Sequence, residues 1–268
     1  MDWRQCAAQG VVGAAGAVPG TLAAHPFDVC KIRLQTGTSA SALGAARAGG
    51  LYGGLGAAVG QKVLTRGPMF LASAVGSQIC RDHLGMDGAT AVAVGSLGSG
   101  YVTGSVAAIA EWKKVQGARG GGGGARVLRT AAAAGELRSV ARRVHGAGCR
   151  NALFDTIFFG ANALLLGERQ GSADVTKAEA ARCYALSASC AVVGDYAVDV
   201  AVKRSMATPP SEGVAPVGKA AWALLRAKGW CIFRGLDAKT LEFGVSYAVT
   251  GAASVYVLAL FAAMELET

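Results

Sequence analysis

Charged side chains are scarce in this chain, at 16% of residues, while apolar residues reach 52% and the mean hydropathy is +0.38. A soluble domain normally carries about 25% charged residues. The shortfall argues against an ordinary water-soluble fold and for a bilayer as solvent. Acids are scarcer than bases, with 17 Asp and Glu against 26 Lys and Arg, a formal net charge of +9. No basic stripe with interleaved aromatics appears, so nucleic acid is not the expected partner. The excess of base fits loops facing an anionic lipid surface.

Catalytic and metal-binding patterns are lacking too. The three histidines, His25, His83 and His145, are scattered, and no Ser/His/Asp or Cys/His arrangement is implied, so an enzyme is not expected. The seven cysteines form no CxxC and no Cys/His cluster. Their apolar settings suit small buried hydrophobes, not disulfides or a metal site. The glycine run at 120–124 lacks the Lys-Ser/Thr of a phosphate loop, so no nucleotide or other cofactor is expected; it reads as a flexible inserted loop. No cleavable presequence is visible, because Met1-Asp2-Trp3 leads almost directly into apolar sequence. Any targeting signal is expected to be internal.

What the chain has is apolar length. Cys6 to Ala24, Gly88 to Ala110 and Phe243 to Met264 carry no charge, and about 18 such residues suffice to span a bilayer. Gly67 to Cys80, Thr156 to Gly167 and Cys183 to Gly194 are shorter, too short alone. Gly10, Gly13, Gly16 and Gly20 mark the stretch from Cys6, and Gly95, Gly98, Gly100 and Gly104 mark the one from Gly88. Small residues at such spacing let helices pack closely in lipid.

One motif organises these stretches. His25-Pro26-Phe27-Asp28-Val29-Cys30-Lys31-Ile32-Arg33-Leu34-Gln35 places a base three residues after an acid and another base five after it. Weaker echoes follow at Glu111-Trp112-Lys113-Lys114-Val115-Gln116 and at Asp199-Val200-Ala201-Val202-Lys203-Arg204. The acids at 28, 111 and 199 are 83 and 88 residues apart. A period of that length means three copies of one module. The expected fold is therefore all-α: six transmembrane helices as three two-helix repeats (1–84, 85–172, 173–268) about a pseudo-three-fold axis. Short amphipathic loop helices are expected near Ala134 to Val144 and Lys219 to Lys228.

At these motifs the chain resembles the mitochondrial carrier family, whose modules carry a Pro-x-acid-x-x-base-x-base-x-Gln signature. Pro26, Asp28, Lys31, Arg33 and Gln35 fill all five positions. Lys228-Gly229-Trp230 with Phe233-Arg234-Gly235-Leu236, and Leu51-Tyr52-Gly53-Gly54-Leu55, look like that family's loop helix leading into an even-numbered span. The resemblance implies a multi-pass protein of the mitochondrial inner membrane in contact with lipid, cardiolipin included. Pro26 removes a helix hydrogen bond and is the expected kink. In a three-fold arrangement each acid can pair with the next module's base, closing a salt-bridge gate under a central cavity: Asp28 with Lys114, and Asp199 with Lys31. Glu111 has Val202 where its base should stand. Lys203 is adjacent, but about 100° further round the helix. Ile109 and Ala197 replace the other two prolines.

The family's second gate, late in each even-numbered span, falls at Ser73-Ala74, Asn162-Ala163 and Tyr256-Val257, which carry none of its acids. Midway along the same spans the resemblance places substrate contacts at Gln61, Lys62 and Arg66, at Arg150 and Asn151, and at Glu242. Arg150 followed by an amide resembles carriers of small carboxylates. Glu242 would repel such a substrate unless Lys62, Arg66 or Arg150 pairs with it. Arg150 and Asp155 could instead satisfy each other or a neighbour as structural polar groups. Asp237 and Lys239 are expected at the interface, without function. Missing prolines and missing gate charges favour a carrier fold that no longer transports and serves as an accessory subunit of a larger, respiratory-type membrane complex. The alternative is an active carrier exchanging a small carboxylate by alternating access.

Overall fold

The computed structural model describes residues 3–35, 47, 50–52, 55–118, 137–167, 175–208, 214–229, 233 and 235–265, without the side chains of 31–35, 57, 109–110, 112–118, 207, 262 and 264–265. The regular structure among the described residues is all helix, with no strand. Seven helices follow in order: α1 Trp3–Gln35, α2 Leu55–Leu84, α3 Gly88–Ala118, α4 Leu137–Leu166, α5 Lys177–Ala207, α6 Val217–Lys228 and α7 Leu236–Glu265. Six are 30 to 33 residues long, or roughly 45 Å each at 1.5 Å per residue. Each long helix packs on its neighbours in chain order and α7 closes back onto α1, so the six form a ring. The short α6 lies outside it, against α5 and α4.

Local sequence sets the helix ends. A three-residue turn, 85–87, folds α3 back on α2; Gly85 within it and Gly88 at the start of α3 take positive φ (62° and 39°). Thr176 caps α5, its hydroxyl accepting the Glu179 backbone N–H at 3.2 Å, with Glu179 in the first turn. Gly229, at φ 49°, ends α6. The helix α1 continues through both Pro19 and Pro26.

Four helices contain stretches long and apolar enough to cross a membrane: Trp3–Cys30, Gly88–Ala108, Lys177–Met206 and Leu236–Phe261. The apolar stretch expected to be too short in Cys183 to Gly194 is thus part of a full-length one. Its acids, Asp195 and Asp199, interrupt a charge-free count without ending the helix. The other short stretches lie in α2 and α4, which are equally long but are not among these four. No separate loop helix stands at 137–144; those residues form the first turns of α4. The expected helix near Lys219 to Lys228 is present as α6. The glycine run at 120–124 lies outside the described residues.

Inside the ring, all six long helices contribute to one core, which includes Val12, Phe70, Val92, Phe158, Tyr184 and Tyr247. Close helix approach depends on glycine. A methyl added at Gly20 would sit 2.6 Å from the Ser246 carbonyl oxygen of α7, and one at Gly100 would sit 2.9 Å from the Asn151 carbonyl oxygen of α4. Gly98, from the same series, faces open space and plays no such part.

Candidate functional site

A charge cluster joins four helices toward the end of the ring where α1 and α3 finish. Arg150 of α4 donates to Glu111 Oε1 of α3 at 2.5 Å and reaches Asp199 Oδ1 of α5 at 3.4 Å. Its Nε and Nη2 donate to Asn151 Oδ1 at 3.0 and 2.6 Å. The second Asp199 oxygen accepts from Lys203 at 2.8 Å and from Lys239 of α7 at 3.0 Å. Lys239 also donates to Asp195 Oδ1 at 3.0 Å. Three acids and three bases therefore balance. Asp195, Asp199 and Lys239 are each at most 3% exposed.

Such burial disfavours any unpaired charge, and the pairing answers that demand. Glu111 lies just past the apolar stretch of α3. Its burial would raise the carboxyl's pKa, but the Arg150 guanidinium outweighs this and holds it below the ordinary carboxylate value.

The gate residues are rearranged relative to the expected ring. Glu111 takes its base from Arg150, a residue expected to bind substrate. Lys203 turns back to Asp199 one helical turn away, as its angular offset suggests. Val202 is 1% exposed and packs with Ala108, Ala147 and Met206. Lys239 belongs at the centre of the cluster, which corrects its expected interfacial placement. The side chains of Lys31 and Lys114 lie outside the described residues, and with them the two expected pairs. Asp28 is 7% exposed and lines a cavity of only 10 Å³ together with His25, Gln61, Lys62 and Glu242, room for about one water.

The remaining substrate candidates divide from Arg150 and Asn151. Lys62 pairs with Glu242 at 3.8 Å, so the acid is met by a base as its position required. Arg66, 3% exposed, donates to Ser246 Oγ at 2.8 Å and Thr250 Oγ1 at 3.0 Å, and stacks over the Tyr247 ring at 4.2 Å. Thr250 in turn donates to the Gly16 carbonyl of α1 at 3.1 Å. This chain of contacts staples α1, α2 and α7. Arg150 does not satisfy Asp155, whose Oδ2 is buried without a hydrogen-bond partner.

Between the charge cluster and the other end lies a layer of aromatic rings. Phe70 meets Phe159 at 5.0 Å, Phe159 meets Phe158 at 4.8 Å, and Phe158 meets Tyr247 at 4.5 Å. Phe154 joins it to Phe243 at 5.3 Å. Tyr184 of α5 meets Phe158 at 5.7 Å, so rings from α2, α4, α5 and α7 fill the middle of the bundle with edge-on and tilted contacts. Beyond this layer a cavity of 540 Å³ opens among α1, α2, α3 and α4. Its floor is Phe70 and Phe159, and its walls carry Gln9, Ser73, Gln78 and Arg81.

Of the positions expected to hold a second gate, Ser73 and Tyr256 carry hydroxyls and Asn162 an amide. Ser73 Oγ lies 2.5 Å from Ser96 Oγ, and Tyr256 accepts from Lys177 at 2.6 Å.

Sequence reasoning missed Lys239, Asp195 and the aromatic layer. Two acids four residues apart within the apolar run of α5 are an intramembrane signal that could have found the first two. The rings sit on four helices and share no linear motif. Among known proteins, no family model matches the chain and no curated protein does.

Proposed function

We propose that this chain is a divergent mitochondrial carrier fold of six spans and three repeats that has given up ordinary transport. It serves as an accessory subunit of a larger, respiratory-type complex in the mitochondrial inner membrane, with cardiolipin among its lipid contacts. The observation that carries this reading is the occupation of Arg150. The group best suited to a carboxylate substrate is held by Glu111, Asp199 and Asn151, and the aromatic layer fills the route towards it. An incoming anion would have to displace two carboxylates and part several packed rings.

An active carrier of small carboxylates is favoured by one observation, the 540 Å³ cavity with Arg81 in its wall. That volume lies within the range of small-molecule sites, about 300–1,000 Å³. Native mass after gentle solubilisation tests the accessory reading. We expect the chain to migrate with an assembly far larger than its 26.9 kDa; a monomer would count against a structural subunit.

A further inference from the structure

We propose that Cys149 is a site of S-acylation by a long-chain acyl thioester, activated by His145 and positioned by Tyr101. The three side chains form a relay on the outer face of the ring, apart from the charge cluster inside it. Cys149 Sγ lies against the His145 ring, 3.5 Å from Nε2 and 3.9 Å from Nδ1, and His145 Nδ1 lies 2.9 Å from the Tyr101 hydroxyl. His145 and Cys149 are one turn apart on α4, so helix periodicity brings them together. Tyr101 arrives from α3 and meets the imidazole ring edge-on at 5.7 Å.

Gly148 makes this crossing possible. A methyl there would sit 3.0 Å from two atoms of the Tyr101 ring, so only glycine leaves the ring room across α4.

The surroundings suggest which electrophile comes. Tyr101 is 40% exposed, and Val102 and Val106 beside it are 60% and 75% exposed. His145 is exposed and Cys149 half-buried. The apolar stretch of α3 runs through these positions, so the thiol lies where an acyl chain would rest along valines. Apolar surroundings disfavour a free thiolate, which makes an adjacent base the requirement for reaction.

The step is acyl transfer. As Cys149 Sγ attacks the thioester carbonyl of an acyl-coenzyme A, its proton passes to His145 Nε2. A new carbon–sulfur bond forms, the bond to the coenzyme's sulfur breaks, and the proton goes to the departing thiolate. Nothing is oxidised or reduced. The step uses the tautomer whose Nδ1–H is donated to the Tyr101 hydroxyl, which leaves Nε2 as the base.

The test uses the full chain in nanodiscs with an alkyne-tagged palmitoyl-coenzyme A, read by mass spectrometry as hydroxylamine-sensitive label on each cysteine. Cys190, an exposed thiol on α5, is the internal reference. General-base assistance should make Cys149 react about 100-fold faster. His145→Gln should remove that advantage. Tyr101→Phe, which keeps the ring, should slow the reaction by about tenfold, the order of one hydrogen bond. Tyr101→Phe carries the test if His145→Gln does not fold. Equal labelling of Cys149 and Cys190, or a rate untouched by either substitution, would overturn the proposal.

Discussion

The two ends of the helix ring solve the same problem with different chemistry. At one end Glu111, Arg150, Asp195, Asp199, Lys203 and Lys239 form a closed, balanced set of ion pairs spread over four helices. At the other, Ser73 meets Ser96, Lys177 meets Tyr256, and a cavity remains. Ion pairs in a low-dielectric interior are all-or-none devices, since removing one partner strands the other. Hydroxyl contacts in lipid are worth about 0.6 kcal/mol on average, so they fasten an end without locking it. A protein that alternates needs two closed states of similar free energy. The ion-pair cluster through Arg150, Asp199 and Lys239 would supply one such state.

The largest effect should follow from breaking the closed end at its centre. Lys239→Met leaves Asp195 and Asp199 facing each other without their shared base, and should cost about 3–5 kcal/mol in reversible unfolding in detergent. A loss below 1 kcal/mol would mean that the cluster is hydrated and does not lock the helices. The Glu111–Arg150 pair should come next. In a double-mutant cycle of Glu111→Gln and Arg150→Gln, the coupling free energy should fall at about 0.5–3 kcal/mol, whereas simple additivity would separate the two residues energetically.

Packing gives the open end's own counterpart. Gly76 meets Gly95 across the α2–α3 crossing, where an added methyl would sit 2.6 Å from the Gly95 carbonyl oxygen. Gly76→Leu should therefore cost about 1–3 kcal/mol, while Gly98→Leu, which meets nothing within 4 Å, should stay within about 0.5 kcal/mol of the parent. Similar losses from both would show that close approach is not what holds α2 to α3. The smallest change belongs to Ser73→Ala, about 0.6 kcal/mol by the same unfolding measurement. A loss as large as that of Lys239→Met would erase the distinction between the ends.

Much of this asymmetry can be read along the chain. The absence of acids near Ser73, Asn162 and Tyr256 marks the open end, and the acids at 28, 111 and 199 mark the closed one. Pattern alone cannot identify partners. The missing base opposite Glu111 is supplied by Arg150, on a different helix and outside the motif, because a buried carboxylate draws in any cation within reach. Lys239 follows the same logic: its position three residues into α7 reads as interfacial until α7 is seen to begin level with Asp195 and Asp199. The aromatic layer escapes entirely, since Phe70, Phe158, Tyr184 and Tyr247 come together only once the ring has closed.

The central claim is that the closed end, with Arg150 held in it, no longer opens for a solute. Exchange in liposomes tests this most directly, with the purified chain loaded and challenged with a panel of small carboxylates, amino acids and nucleotides. Rates at the level of protein-free vesicles are expected for every solute. Exchange above that level that disappears in Arg150→Ala would contradict the account, because it would place the guanidinium on a moving substrate and not in a permanent lock.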